Sequence, residues 1–407
     1  MKEILLLNIT GEDKPGLFAA FCSVLADSNV NILDLSQSVI HSTLSLGMMI
    51  EVPKLEPNNS HNLMKELLFK AQELNVTVKF SPVSEERYEQ WVKNQGKKRY
   101  FVTLLARRIK ADHLAKLSSI IHENGLNIDV ATRLSGRPPL AEHERLPRAC
   151  VEFSVRGEPK NFKAMKAEFL ELSHEYGIDI AFQEESRFRR NRRLVAFDMD
   201  STLINTEVID ELAKRAGVGE QVSTITELAM RGEIDYRESL KRRLHLIKGL
   251  KSSVLEEIAT GLQLNEGAER LISILKSLGY KTAIISGGFT YFGNYLKQKL
   301  NIDYVFANEL EISDGIVTGN VLGEIVDAAR KAELLKQIAA EEKISLDQVI
   351  AVGDGANDLP MLSIAGLGVA FRAKPLVKKS ADHALSVIGL DGILYLIGVR
   401  DRELLEE

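Results

Sequence analysis

Hydrophobic and polar positions switch between two periods along the first 180 or so residues. Residues 4–10 (Ile-Leu-Leu-Leu-Asn-Ile-Thr) read as a strand, and Gly11-Glu12-Asp13-Lys14-Pro15-Gly16 as a turn in which Pro fixes φ and Gly tolerates φ > 0. Leu17, Phe18, Phe21, Val24 and Leu25 then recur at helical spacing. Strands are expected from Val30 to about Ile40, over 44–52 as far as Pro53, and over Val76–Phe80, with an amphipathic helix over His61–Leu74. The order βαββαβ predicts a ferredoxin-like unit: an open antiparallel sheet with helices on one face.

The order recurs. Tyr100–Ala106 reads as a strand and Asp112–Glu123 as a helix, and Leu126-Asn127-Ile128 matches Val30-Asn31-Ile32 at an offset of 96. Ala149–Val155, Asn161–Tyr176 and Ile178–Phe182 complete the second unit as strand, helix and strand. Its loop between the second and third strands is long and contains Pro138, Pro139 and Pro147. Where the first copy has Gly-Glu-Asp-Lys-Pro-Gly, the second has Arg107-Arg108-Ile109-Lys110-Ala111-Asp112. Residues 1–82 and 99–183 are therefore expected to form two related domains, followed by a solvated linker at 184–193 that carries five arginines.

From Leu194 the pattern changes to short apolar runs alternating with longer helical segments, which predicts a parallel doubly wound α/β sheet over 194–395. The runs are Leu194–Phe197, Lys281–Ile285, Val349–Val352, Ala365–Phe371 and Ala384–Val387, with short strands joined by an Asp314-Gly315 hairpin turn over 304–321. Residues 207–262 are strongly helical and read as a cap inserted after the first strand.

Composition narrows the function classes. A net charge of −5 gives no electrostatic case for nucleic acid or an anionic membrane, including at the arginine-rich linker. No stretch approaches the roughly 18 apolar residues of a spanning helix. Two cysteines, Cys22 and Cys150, make neither a disulfide framework nor a zinc site by themselves. The expected compartment is the cytoplasm.

The chemistry sits where the apolar runs end. Leu194–Phe197 leads into Asp198-Met199-Asp200-Ser201-Thr202. Strand periodicity puts the two carboxylates on one side, where their repulsion calls for a metal, a cation or a shared proton. The second run ends in Ser286-Gly287-Gly288-Phe289, whose glycines let backbone N–H groups approach an anion. The third ends in Gly353-Asp354-Gly355-Ala356-Asn357-Asp358, an oxygen-rich turn that suits a hard cation such as Mg²⁺. Each segment alone is a weak signal, and Lys331 alone reads as a solvated helix residue. Three such segments at successive strand ends, in this order, are specific.

On these segments, on Lys331, and on Asn205-Thr206-Glu207, Ala229–Gly232 and Ser239–Arg243 of the cap, residues 192–395 resemble the haloacid dehalogenase-like superfamily, within it the phosphatases that act on O-phospho-L-serine. The front units, the first more closely, resemble the ACT domain, which commonly binds amino acids between paired copies. The resemblance implies Mg²⁺-dependent hydrolysis of O-phospho-L-serine to L-serine and phosphate, the last step of L-serine synthesis. It makes Asp198 the nucleophile, Asp200 the general acid and base, and Lys331 the neutralising charge. Asp198, the Asp200 carbonyl and Asp354 become metal ligands, with Asp358 supporting them. Ser286 and Gly287 hold phosphoryl oxygens, Glu207 the ammonium and Arg243 the carboxylate of the substrate. Met230 and Tyr236 cover the substrate, and Asn357 makes a polar contact. The ACT resemblance implies a homodimer with an amino-acid effector such as L-serine near Asp13 and Asn31. Competing expectations are a phosphatase or phosphotransferase for another small phosphomonoester, and an amino-acid sensor with a vestigial phosphatase half.

Overall fold

The computed structural model describes residues 3–53, 59–137 and 148–404, and of Asn59, Ser60 and Met230 their backbone only. The proline-containing loop expected between the second and third strands of the second repeat falls mainly outside them, over 138–147. The chain divides into two compact units, Met1–Lys97 and Lys98–Glu407.

The first unit comprises β1 (Glu3–Glu12), α1 (Leu17–Asp27), β2 (Asn31–Ile40), β3 (Thr43–Val52), α2 (Asn59–Glu73), β4 (Val76–Val83) and α3 (Glu85–Gln95). The sheet order is β2-β3-β1-β4, antiparallel throughout. Leu5, Leu7 and Ile9 alternate inward from β1, as do Leu44, Leu46, Met48 and Ile50 from β3. They bury against Phe21 and Leu25 of α1 and Leu63 and Leu67 of α2, which fixes the register, since a one-residue slip would turn the whole set outward. β1 runs through Gly11 and Glu12, so the turn begins later than the sequence suggests. Helix α3 was not expected: none of its residues is buried, so it has no apolar stripe to read. Its signals are local, a Ser84 cap accepting from the Arg87 N–H at 3.3 Å and Glu85 and Glu86 in the first turn.

The second unit opens with β5 (Arg99–Ala106), α4 (Ala111–Glu123), β6 (Asn127–Arg133), β7 (Ala149–Arg156), α5 (Phe162–Tyr176) and β8 (Asp179–Glu184). Its order, β6-β7-β5-β8, repeats that of the first sheet strand for strand. The catalytic-type sheet follows: β9 (Leu194–Phe197), α6 (Val208–Arg215), α7 (Gly219–Met230), α8 (Tyr236–Leu246), α9 (Ser253–Gly261), α10 (Ala268–Ser277), β10 (Lys281–Phe289), α11 (Thr290–Leu300), β11 (Tyr304–Ser313), β12 (Ile316–Leu322), α12 (Ala328–Glu341), β13 (Val349–Gly353), α13 (Leu359–Ile364), β14 (Leu367–Phe371), α14 (Pro375–Ser380) and β15 (His383–Leu385).

Its order is β12-β11-β10-β9-β13-β14-β15. All pairs are parallel except β11–β12, so the sheet is mixed rather than wholly parallel. The exception is the hairpin at Asp314-Gly315, whose φ of 52° and 76° match the two left-handed positions of a type I′ turn. β9 is central and wholly buried, with β10 on one side and β13 on the other. Chain order reverses there, and a crevice opens beyond the carboxyl ends of those strands.

The arginine-rich segment differs from the solvated linker expected from its charge. Arg189 and Arg192 are buried. The Arg189 guanidinium pairs with Glu152 of β7, donates to the Leu396 carbonyl at 3.1 Å and lies 4.1 Å from the centroid of the Phe101 ring. Arg192 donates to the Asp347 carbonyl at 2.7 Å. Asp179 of β8 accepts the Ser386 and Val387 N–H groups at 2.8 and 2.9 Å. Leu105, Cys150 and Ala181 join the apolar core beneath the seven-stranded sheet, so the second repeat and that sheet share one interior. Among the described residues no helix is long and apolar enough to cross a membrane.

Candidate active site

Two fully buried apolar strands, β9 and β13, and the largely buried β10 bring their polar ends to one place. The Asp198 N–H donates to the Val352 carbonyl at 2.8 Å, extending the β9–β13 ladder one residue past β9 and setting Asp198 beside the Gly353–Asp358 turn. The strand ends at Phe197, so strand periodicity does not align Asp198 with Asp200. A tight turn does so, with Ser201 at φ 56°. The Met199 N–H bonds Asp198 Oδ1 at 2.7 Å, and the Val208 N–H at the start of α6 bonds Asp200 Oδ1 at 3.3 Å.

Lys331 is fully buried, contrary to the solvated position that its sequence context suggests. Its Nζ lies 3.0 Å from Asp198 Oδ2 and 2.7 Å from Asp358 Oδ1. Burial opposes its charge, but the two carboxylates overcome this and hold its pKa above the ordinary lysine value. Asp358 Oδ2 accepts the Gly355 N–H at 2.9 Å, so both of its oxygens are engaged within the fold. Asp354 Oδ1 accepts from the Thr202 hydroxyl at 3.1 Å.

Asp198, Asp354 and Asp358 each present an oxygen within 4.8 Å of the others. Burial, then Asp198 and Asp358, push the Asp354 pKa up to about 7, and burial, then Asp198, push Asp358 up to about 6. Asp200 is raised well above the carboxylate range by burial first, then by Glu207 and Asp198. Lys331 pairs with Asp198 and Asp358, and Asp354 adds a third carboxyl to the cluster. Such a cluster of carboxyl oxygens suits a hard divalent cation.

Ser286 is buried and its Oγ accepts the Gly288 N–H at 3.0 Å, which leaves the hydroxyl hydrogen to donate elsewhere. A Cβ on Gly288 would stand 2.8 Å from Asp200 Oδ2, so only glycine leaves room for that carboxyl. Pairing of β10 with β11 is interrupted between Ile285 and Phe289, which opens this segment toward the crevice. The Gly287 carbonyl is turned aside by two donors, Tyr236 Oη at 3.0 Å and Asn308 Nδ2 at 2.7 Å. Asn308 is itself fixed by the Val326 N–H at 2.8 Å. The Tyr236 bond ties the helical 208–261 segment to the phosphate-type loop, and burial raises the Tyr236 pKa to about 12.

Glu207 is exposed at the start of α6 and accepts from the Ser201 hydroxyl at 2.7 Å. Arg243 is half-buried and makes no ion pair closer than 4.0 Å among the described residues; its Nε reaches the Ser239 carbonyl at 3.4 Å. Its neighbours differ: Arg242 pairs with Glu238 at 2.6 Å on the surface, and Lys241 is exposed. Asn357 is half-buried on the turn after β13, and the Met230 side chain lies outside the described residues. Thr202, Asn308 and Asn265 were not singled out from the sequence. Thr202 belongs to a recognised segment, whereas the two asparagines act through the backbone and leave no spacing signal.

Asp13 and Asn31 of the first unit are not brought together within one copy. Asp13 follows the Glu12↔Thr43 end of the sheet, whereas Asn31 pairs with Glu51, level with Ile4 at the other end. β1 and β2 run parallel, so the end of one and the start of the other are a strand length apart. Asn31 donates to Glu51 at 2.8 Å, and both Asp13 and Asn31 are exposed.

Residues 192–366 match the haloacid dehalogenase-like hydrolase family, and residues 3–81 match the ACT domain. The chain is 39% identical to a phosphoserine phosphatase of Streptomyces coelicolor over 98% of this chain and 93% of that protein. It is 36% identical to a phosphoserine phosphatase of Mycobacterium tuberculosis, over 99% and 95% of the two chains. Among solved structures, a probable phosphoserine phosphatase of Vibrio cholerae in unliganded form is similar, with a TM-score of 0.59, 32% identity, and coverage of 75% of this chain and 89% of that one. A haloacid dehalogenase family hydrolase of Salmonella enterica gives a TM-score of 0.63 at 32% identity, over 73% and 99%. With near-complete coverage of both chains, the protein belongs to the phosphoserine phosphatase family of haloacid dehalogenase-like hydrolases, with an ACT domain at its N-terminus.

Proposed function

We propose that the chain hydrolyses O-phospho-L-serine to L-serine and phosphate through an aspartyl-phosphate on Asp198, in the cytoplasm, as the last step of L-serine synthesis. The observation that carries this reading is the buried Lys331 bridging Asp198 and Asp358 beside a second buried acid, Asp200, whose pKa burial raises. Asp198 Oδ attacks phosphorus and the phosphorus–oxygen bond to serine breaks. Asp200 protonates the departing serine oxygen, and then takes a proton from the water that attacks the aspartyl-phosphate. The raised pKa of Asp200 suits the first of these tasks, because the acid must carry a proton near neutral pH. Ser286 and the Gly287 N–H receive phosphoryl oxygens, and Lys331 offsets charge that develops on them.

Asp198, Asp354 and the Asp200 carbonyl are the groups that would hold Mg²⁺, with Asp358 committed to Lys331 and Gly355 behind them. Bound there, Mg²⁺ supplies the positive charge that lets an anionic carboxylate approach an anionic phosphate. Glu207 and Arg243 receive the ammonium and carboxylate of the amino acid; the absence of a close ion pair at Arg243 among the described residues supports that role. Tyr236 and Asn357 complete the enclosure. For the first unit, a ligand touching both the Asp13 turn and the Asn31 strand start must lie between two copies, since one copy holds them at opposite ends. The β2 edge, with Ile32, Leu35, Val39 and Ile40 exposed, offers a surface for a homodimer with L-serine as effector.

Steady-state comparison of O-phospho-L-serine with glycerol phosphates tests the substrate. The expected kcat/KM favours the amino acid, and Arg243→Met lowers it about 10- to 100-fold for phosphoserine alone, the loss of a charge-assisted fork. A wild-type enzyme indifferent to the amino and carboxyl groups contradicts the reading.

Metal binding is expected to carry a proton signature. Ionising Asp354 and Asp358 is harder in the folded, metal-free chain than in the unfolded one, so stability falls as pH rises from the usual carboxylate range towards about 7. Mg²⁺ requires the ionised forms and restores that stability. Calorimetric titration with Mg²⁺ at pH 6 in two buffers of different ionisation enthalpy should show proton release that disappears by pH 9; affinity independent of pH would contradict the site.

Titration of the full chain with L-serine, alongside light scattering, tests the regulatory arrangement. The expected result is heat and a dimer for wild type, and a monomer with no heat for Leu35→Glu. A wild-type monomer that gives no heat would remove the effector and the dimer together.

A further inference from the structure

The end of the first strand and the residues after it have diverged between the repeats: the first copy has Gly11, within β1, where the second has Arg107, just past β5. Arg107 reaches the seven-stranded domain. Both Nη atoms bond the two carboxylate oxygens of Glu266, which precedes α10 in the seven-stranded domain. The same carboxylate accepts from Arg372 Nη2 at 2.9 Å, and Arg372 Nη1 reaches Asn265 Oδ1 at 3.3 Å.

Asn265 is buried, and its amide nitrogen gathers three carbonyls of the loop that carries the two aspartates: Thr202 at 2.9 Å, Ile204 at 3.0 Å and Ser201 at 3.3 Å. Its backbone N–H adds the Leu203 carbonyl at 2.8 Å. The loop needs such a clasp, because Ser201 sits at φ 56°, a conformation that side chains disfavour. The amide has two orientations, and only one directs its donors at those carbonyls. An arginine on Oδ1 selects that orientation. Arg372 is in turn at φ 45° and is held by the carboxylate that Arg107 grips.

We propose that Arg107 of the second repeat is a positioning residue for the Asp198–Thr202 loop, acting through Glu266, Arg372 and Asn265, so that this repeat braces the phosphatase domain. The proposal rests on the hydrolytic reading of the Asp198 site. It gives the second repeat a role in turnover that needs no effector of its own.

The Arg107 and Glu266 side chains are each well exposed, at 42% and 37%, so their pair adds little to global stability. Arg107→Met in the full chain is therefore expected to keep the wild-type melting temperature and a KM within about twofold, while kcat falls about fivefold, in the range of energetic couplings carried through a network. Arg107→Lys, which keeps the charge without the fork, is expected to fall between the two. In an Asn265→Ala background, already lower in kcat, adding Arg107→Met should cost nothing further, since the route is cut. Glu266→Gln serves as the background if Asn265→Ala does not fold. An unchanged kcat in Arg107→Met, or the same fivefold loss in both backgrounds, overturns the proposal. Wild-type turnover of phosphoserine is measured first: its absence would sink the hydrolytic reading itself, whereas turnover with an indifferent Arg107→Met sinks only the relay.

Discussion

One buried ammonium organises the site. Lys331 has no exposure and stands between Asp198 and Asp358 at 3.0 and 2.7 Å. A buried ion pair is poor evidence of added stability, because desolvating each ion costs several kcal/mol before their attraction is counted. Its value here is positional. It holds a carboxylate at the end of the central strand, in a crevice that already contains Asp354 and Asp200. Remove the ammonium and Asp198 and Asp358 lose the cation that holds them side by side.

The fold exists around that constraint. β9 lies between β10 and β13, so the ends of all three strands converge, and the Asp198 N–H to Val352 carbonyl bond sets the loop in register with the Gly353–Asp358 turn. α12 delivers Lys331 from its first turns, anchored by Asp327 as its cap, whose carboxylate accepts the Arg330 N–H at 3.0 Å. Tyr236 and Asn308 hold the Gly287 carbonyl from two sides, and Asn265 clasps the loop after Asp200. Backbone carbonyls, rather than side chains, are what most of these supporting groups secure. The two front repeats share one topology but are placed differently: the second shares its interior with the seven-stranded domain, while the first forms a compact unit by itself.

Much of this was legible in the sequence because it rests on local patterns. Period-2 alternation in β1 and β3, the apolar stripes of α1 and α5, and three apolar runs ending in acidic or glycine-rich turns are all written within short windows. Features set by distant partners were not legible. By its own sequence context Lys331 looks like a solvated helix residue, and only the family resemblance assigns it to the site that α12 brings it to. Arg189 and Arg192 look like a charged linker until Glu152 and the Asp347 carbonyl are beside them. The separation of Asp13 from Asn31 follows from strand direction, which spacing along the chain does not show. Helix α3 was missed for the opposite reason, since it buries nothing and so leaves no period.

The claim on which the account turns is that Asp198, held beside Lys331, becomes covalently phosphorylated. Rapid acid quench of the enzyme with ³²P-labelled phosphoserine, followed by proteolysis and peptide mapping at acid pH, measures this directly. The account predicts a transient label, acid-stable and hydroxylamine-labile, on the peptide containing Asp198, and none in Asp198→Asn. Full turnover without any labelled protein at the earliest quench times, or label that persists in Asp198→Asn, would contradict it.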